Sequence, residues 1–304
     1  MSAIKIKNLK KKYKDTQALK GIDLEIEEGE VFGLLGRNGA GKTTTINIIT
    51  GFVKLEEGSI TVLGKDVVKD YKAVRKSLGI ASQEFTLDMF FTIRKLLEYQ
   101  AGYYGLDKKE TEERVEYVLK AMDLKFKEKS IVRTLSGGMK RRLMIAKALI
   151  HNPQILILDE PTAGVDVDLR KQTWNLIRKL KKEGMTILLT THYLEEAEQL
   201  CDRVAIIEEG KILVEDTPQG LIGKNNESIV TLKIKGLKKI PKELERFSPV
   251  LFKNCLRLKT KNGSGVQDIL KVMSKNKIEV DDLHLKHRTL EDVFIKLTGK
   301  EIDE

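Results

Sequence analysis

The sequence predicts an α/β fold: a mixed, mainly parallel sheet covered on both faces, a helical subdomain inserted into it, and a small α+β domain at the C-terminal end. Three observations carry this. Apolar runs of strand length at Val31–Leu35, Ile155–Leu158 and Thr186–Leu189 alternate with stretches of helical spacing, the pattern of strands buried between helix layers. From about Glu84 to Ser130 that alternation stops. Val115, Val118, Leu119 and Met122 recur at helical spacing there, with Glu112, Glu113 and Lys120 on the outer face. Beyond Gly220–Ser228, a stretch punctuated by Gly and Asn, a period of two returns in Val230, Leu232 and Ile234. The expected domains are therefore 1–220, with the helical subdomain at about 84–150, and 221–304.

Along the first domain, Ile4–Lys7 alternates as a half-buried strand, Gly29-Glu30 reads as a turn, and Val31–Leu35 is a buried strand. A glycine-rich loop follows, and Thr43–Thr50 should open a helix. Helices are expected at about Leu169–Glu183 and Leu194–Leu200, and a hairpin at Val204–Ile207 and Ile212–Val214 around Glu209-Gly210. In the second domain, Leu256 and Leu258 supply another strand, and Ile278, Val280, Leu283 and Leu285 a fourth. Helices at Pro241–Phe247 and Val266–Lys275 would complete a ferredoxin-like βαββαβ order. Near the end, Thr289 is an N-cap candidate for a helix with an apolar stripe of Leu290, Val293, Phe294 and Leu297.

Composition narrows the class. The 304 residues are 41% hydrophobic and 33% charged, which suits a globular protein with a sizeable core. The net charge is +10, of which residues 221–304 hold +6 from 18 basic and 12 acidic residues. That balance fits nucleic acid, an acidic membrane surface or a Lys-rich solvated face. Without a long block of pure Lys/Arg, the solvated face is favoured. Two cysteines, Cys201 and Cys255, lack metal-ligand spacing and fit a reducing compartment. No apolar run approaches the roughly 18 residues of a membrane helix. Any role at a membrane is therefore expected to come through a partner.

Chemistry enters at Gly36-Arg37-Asn38-Gly39-Ala40-Gly41-Lys42-Thr43, which fits G-x-x-x-x-G-K-[ST]. Its glycines let backbone N–H groups approach phosphate oxygens, and the following helix directs its positive end at the same anion. Lys42 is expected to reach the β- and γ-phosphates of ATP, Thr43 to ligate Mg²⁺, and Thr44 to reach a neighbouring phosphate. The apolar run Ile155–Leu158 ends in Asp159-Glu160. Asp159 would hold Mg²⁺ through a water at the carboxyl edge of the sheet. Glu160, directed oppositely by strand alternation, would polarise the attacking water as general base.

Leu135-Ser136-Gly137-Gly138-Met139-Lys140-Arg141-Arg142 resembles the signature motif of ABC-transporter ATPases, and lies between the phosphate loop and the acidic strand as in that family. Met139 stands where Gln is usual, a version that resembles the ABC-2-type, drug-resistance exporter branch. The resemblance covers about Ile4 to Gln219 and makes the fold a P-loop NTPase cassette. It implies that Tyr13 stacks on adenine, that Gln83 senses Mg²⁺ and the γ-phosphate, and that His192, after Thr190-Thr191, is the switch histidine. Ser82 replaces the Pro commonly found before that Gln. Ala163-Gly164-Val165-Asp166 resembles the D-loop, with Ala163 departing from the usual Ser. Residues 289–299 also look like the C-terminus of the exporter branch.

The resemblance further implies that Ser136, Gly137 and Gly138, ahead of a helix at Met139–Ile150, cap the γ-phosphate of ATP held by a second cassette. Carrying both halves of the site, the chain is expected to pair with itself more readily than with a different cassette. It would dock on a separate permease at the cytoplasmic face of the cell membrane and power export. Phe85–Phe91 would form a docking groove if exposed and core if buried. The alternative is a soluble ABC ATPase acting on nucleic acid or ribosomes. The long heptad insertions of repair and chromosome-organising relatives are absent, as is the second cassette of translation factors, so no nucleic-acid partner is expected. A non-hydrolysing sensor is disfavoured by Glu160.

Overall fold

The structure is a computed structural model that describes residues 1–84, 86–223, 228–234, 240–260 and 263–299. The chain forms two compact units, Met1–Pro218 and Gln219–Glu301.

The first unit contains two sheets. Strands β1 (Ser2–Tyr13) and β2 (Thr16–Glu27) make an antiparallel hairpin, and after β3 the chain adds β4 (Glu57–Val62) and β5 (Lys65–Asp66) in the order β2-β1-β4-β5. The second sheet runs β10-β9-β3-β8-β7-β6. Its strands are β3 (Val31–Leu35), β6 (Leu78–Ala81), β7 (Ile155–Asp159), β8 (Thr186–Thr191), β9 (Arg203–Glu208) and β10 (Lys211–Asp216). All pair in parallel except the β9–β10 hairpin at the edge. Every residue of β3, β7 and β8 is buried, which is why these segments read as unbroken apolar runs. Ile4, Ile6 and Ile26 of the first sheet share one core with Phe32, Ile157 and Leu188 of the second. Helix α1 (Lys42–Ile49) adds Ile46, Ile48 and Ile49 to that core.

Much of the first sheet goes beyond what the sequence pattern foretold. Only Ile4–Lys7 was expected there, yet β1 and β2 each run 12 residues. Lysines and register shifts blur the period of β1, whereas Ile22, Leu24 and Ile26 of β2 keep the alternation that marks a strand.

The remaining helices of this unit are α2 (Tyr71–Ser77), α3 (Ile93–Tyr103), α4 (Lys108–Ala121), α5 (Gly137–Leu149), α6 (Val167–Lys182) and α7 (Leu194–Leu200), followed by α8 (Pro218–Ile222). Helix α4 opens on a capping box between Asp107 and Glu110 and buries Val115, Val118 and Leu119, as their spacing predicts.

His151, just past α5, ties the helical subdomain to the sheet. Its ring stacks on Tyr104 with centroids 3.6 Å apart, and its Nε2 lies 3.0 Å from the Leu78 carbonyl. Burial pushes its pKa from 6.5 down to about 4. The unfolded chain therefore takes up a proton that the native one refuses. Stability from this site is full above about pH 6.5 and falls as the pH drops to about 4. His151→Phe is expected to flatten that part of a plot of melting temperature against pH. An unaltered slope in the variant would exclude His151 as its source.

In the second unit, β11 (Ser228–Ile234), β12 (Val250–Phe252), β13 (Cys255–Thr260) and β14 (Val280–His287) form an antiparallel sheet ordered β12-β13-β11-β14. Helix α9 (Gly263–Lys275) connects β13 to β14, and α10 (Leu290–Thr298) follows. This is the ferredoxin-like strand order, with two differences from the expectation: the short β12 lies where no strand was located, and a 3-10 turn, Lys242–Phe247, stands where the first helix was expected. Of the Gly220–Ser228 boundary segment, 224–227 lie outside the described residues. Thr289 caps α10 in a capping box with Asp292, and Leu290, Val293 and Phe294 are buried. Leu297, also expected in that stripe, is 44% exposed.

Candidate functional site

Strands β3, β8 and β7 are neighbours, and their register sets Leu35 beside Thr191 and Asp159 beside Thr190. The phosphate loop, the acidic pair and His192 all follow the carboxyl ends of these strands, so the sheet itself gathers them.

In the phosphate loop, a Cβ on Gly36 would meet the Ile207 carbonyl at 2.3 Å, so only glycine lets the loop lie this close to β9. Gly41 has φ 116° and caps α1 with no side-chain hydrogen bond, leaving first-turn N–H groups directed at the loop's concavity. Arg37 is half-buried, Asn38 and Gly39 are exposed, and Ala40 is buried. Thr43 is exposed and Thr44 half-buried on the first turn of α1. Lys42 is 5% exposed. Its Nζ donates to the Gly36 carbonyl at 2.6 Å and the Arg37 carbonyl at 3.2 Å, and lies 3.4 Å from Glu160 Oε1. Burial lowers the pKa of this ammonium, while Glu160 and Asp159 oppose the shift.

Asp159 ends β7 and is buried. The Thr190 hydroxyl donates to its Oδ1. Burial pushes its carboxyl up, opposed first by that hydrogen bond and more weakly by Lys42 and Arg141.

Glu160 departs from the strand-alternation reading. The strand stops at Asp159, and Glu160 adopts φ 49°, in the left-handed region that side chains rarely occupy. Its N–H donates to the Thr190 carbonyl at 3.1 Å and hydroxyl at 3.2 Å. The direction of its side chain is thus set by a turn anchored on β8. Three predicted residues meet its carboxylate. Gln83 Nε2 donates to Oε2 at 3.0 Å, His192 Nδ1 lies 3.2 Å from Oε1, and Lys42 is the third. His192 and then Lys42 hold this carboxyl below its ordinary range against the effect of burial, so it is ionised at neutral pH.

Gln83 lies two residues past β6, next to β7 in the sheet. Tyr13 is exposed near the turn of the β1–β2 hairpin, with Lys11 Nζ 5.2 Å from its ring centroid. The second strand of that hairpin reaches the phosphate loop, since a Cβ on Gly41 would touch Leu19 Cδ2 at 2.7 Å and the Ala18 carbonyl at 3.1 Å.

The signature residues begin α5 and do not merely precede it. Ser136 is the N-cap, its side chain accepting from Met139 N–H, and Gly137 and Gly138 form the first turn. Ser136 and Gly137 are exposed. Gly138 is buried, and a Cβ there would meet Leu169 Cδ2 of α6 at 2.3 Å, so a larger residue would push the Leu169 side chain aside. Asp166 of the D-loop segment caps α6 by accepting from Leu169 N–H.

Two contributors were not foreseen. Thr190 holds both Asp159 and Glu160. Arg141, 5% exposed, donates to backbone carbonyls on both sides of the site. For Arg141 a sequence signal existed: it shares a helical face with the buried Ile145 and Ala148 of α5.

Phe90 is 80% exposed and Phe91 37%, with the Phe91 ring 5.0 Å from that of Tyr99. Leu87 of the same stretch is buried, and Phe85 lies outside the described residues.

Known proteins resemble the chain along nearly its whole length. Residues 19–163 match the family model of the ABC transporter. The Nod factor export ATP-binding protein I of Sinorhizobium fredii is 40% identical, covering 99% of this chain and 88% of its own length. The linearmycin resistance ATP-binding protein LnrL of Bacillus subtilis is 34% identical over 98% of both chains. Among solved structures, a dimeric ATP-binding cassette in a post-hydrolysis state, bound to ADP and Pi, superposes with TM-score 0.65 at 28% identity. That match covers 71% of this chain and 99% of the other.

Proposed function

The chain belongs to the ABC transporter family, and from that membership we propose that it powers export as a pair of identical cassettes on a separate, ABC-2-type permease. ATP binding, and ATP hydrolysis coupled to transport, come with the family. The observation that carries the residue assignments is the convergence of Lys42, Gln83 and His192 on the Glu160 carboxylate, next to Asp159.

In this reading Gly36–Thr44 hold the triphosphate, with Lys42 on the β- and γ-phosphates, and Tyr13 stacks on the adenine. The hydroxyl of Thr43, the amide of Gln83 and the carboxylate of Asp159 are hard oxygen donors suited to Mg²⁺. When bound, Mg²⁺ neutralises charge on the phosphates. Glu160, ionised at neutral pH, takes a proton from the attacking water, and His192 beside it faces the γ-phosphate. Ser136, Gly137 and Gly138 serve the ATP of the other cassette. The exposed position of Ser136 and Gly137 at the start of a 13-residue helix suits an anion. The dimeric post-hydrolysis structure of the related cassette supports pairing, and the presence of both half-sites here favours two identical copies. The Nod factor and linearmycin resistance relatives support export.

Among the described residues no helix is long and apolar enough to cross a membrane. A permease partner on the cytoplasmic face would supply the span. The exposed Phe90, Phe91, Tyr99 and Tyr103 form its docking surface. Tagged chain purified from detergent-solubilised membranes of its own cell is expected to retain a multi-span membrane protein. Phe90→Ala/Phe91→Ala is expected to weaken that retention at unchanged melting temperature. Full retention by the folded variant would remove this surface, and a chain that brings down no membrane protein would overturn the permease.

A further inference from the structure

We propose that Arg141 is a positioning residue that couples the two half-sites carried by one chain. The inference rests on the two-cassette reading and adds a route between the sites.

Arg141 lies five residues past the Ser136 N-cap, about 7.5 Å along the helix. Its guanidinium makes contacts on two separate segments. Nη1 donates to the Ser82 carbonyl at 2.8 Å and the Gln83 carbonyl at 3.2 Å. Nε donates to the Pro161 carbonyl at 2.7 Å, and Nη2 to the carbonyls of Glu160 and, at 3.4 Å, Asp159. One planar fork thus fastens α5 to the backbone of Gln83 and to the turn that aims Glu160. The turn is the one that holds Glu160 in the left-handed conformation, where small backbone shifts redirect the side chain.

Packing alone does not account for this residue. A buried guanidinium loses its hydration, and here it faces five backbone carbonyls with only weaker, longer-range help from Asp159, Glu196 and Glu160. An apolar side chain would fill the same face of α5 without that desolvation. What arginine adds is a rigid link with donors in fixed directions. Gly138 seats the same helix on Leu169, three residues after the Asp166 cap of α6. The start of α5 is therefore bound to the Gln83 loop, the Glu160 turn and α6 together. When Ser136 and Gly137 engage the partner's γ-phosphate, the resulting setting of α5 reaches this chain's own base. Occupancy of one site then readies the other, and turnover is cooperative in ATP.

The test uses the full chain with Arg141→Met and Arg141→Lys. Arg141 does not touch the phosphate loop, so nucleotide affinity below the pairing concentration is expected to be unchanged. The turnover number is expected to fall about 100-fold in the Met variant, the scale of a small displacement of a catalytic group. The Hill coefficient for ATP is expected to drop toward unity. Lys, with the charge but without the fork, restores only part of the rate. A folded Arg141→Met with wild-type turnover and Hill coefficient overturns the proposal. So does a rate that falls only in proportion to a lowered melting temperature and nucleotide affinity. Should the Met variant not fold, the Lys variant decides by the same readouts. Light scattering of Glu160→Gln with ATP is the separate control: failure of that variant to pair removes the two-cassette reading itself, whereas pairing with unaltered Arg141 variants removes only the coupling.

Discussion

Glu160→Gln is expected to lower ATP turnover by about 10²- to 10⁴-fold, the range associated with a lost general base, while ATP binding persists and the ATP-bound pair becomes long-lived. Gln has nearly the volume of Glu, and its amide oxygen can still accept from Gln83 Nε2, which now donates at 3.0 Å. What disappears is the negative charge that faces His192 and Lys42. The water loses its proton acceptor. The γ-phosphate loses a repulsive neighbour, and Lys42 is left with the phosphates and the loop carbonyls as partners. Pre-steady-state phosphate release and light scattering with ATP measure the two halves of this expectation. Turnover within tenfold of wild type would remove Glu160 as the base.

Lys42→Ala is expected to weaken ATP binding by about 1.5–3 kcal/mol, the usual contribution of a hydrogen bond to a charged group, or roughly 10- to 150-fold in Kd. The side chain is buried and held on the Gly36 and Arg37 carbonyls, so its ammonium meets the phosphates with little loss of rotamer freedom. Burial already weakens its hold on the proton, which a bound triphosphate would reverse. Titration with a fluorescent ATP analogue reads the affinity. A Kd close to wild type in a folded variant would show that the loop N–H groups alone hold the phosphates. The two substitutions separate binding from chemistry, since one acts on Kd and the other on turnover.

Legibility differed from residue to residue. The phosphate loop, Asp159 and Glu160 were readable from local chemistry, glycines before a helix and carboxylates at the end of a buried strand, whereas His192 was singled out by the family resemblance. Position within the α/β alternation then placed them at one edge of one sheet. The antiparallel β1–β2 hairpin was read only in part: lysines and register shifts blur the period of β1, whereas Ile22, Leu24 and Ile26 of β2 alternate cleanly and offered a strand signal that went unused. In the C-terminal unit, β11, β13 and β14 were readable from their period, whereas β12, three exposed residues long, and the 3-10 turn at Lys242–Phe247 were not, since segments this short carry no period and an apolar-polar one fits either helix type.

By itself the sequence determined the glycine-rich loop, the acidic pair and the buried strands that lead into them, because residue type and spacing suffice for that, while the resemblance singled out Tyr13, Gln83, His192 and Ser136–Gly138. The tertiary structure alone decided how those groups face one another. Glu160 takes its direction from a left-handed turn bonded to Thr190 on a strand 30 residues away in the chain. Gly138 packs against Leu169, and Arg141 reaches carbonyls near residues 82 and 160 that no local pattern relates. The physical reason is that backbone carbonyls carry no side-chain identity. A hydrogen bond to them leaves no mark in the sequence of the accepting segment, and only the packed chain reveals it.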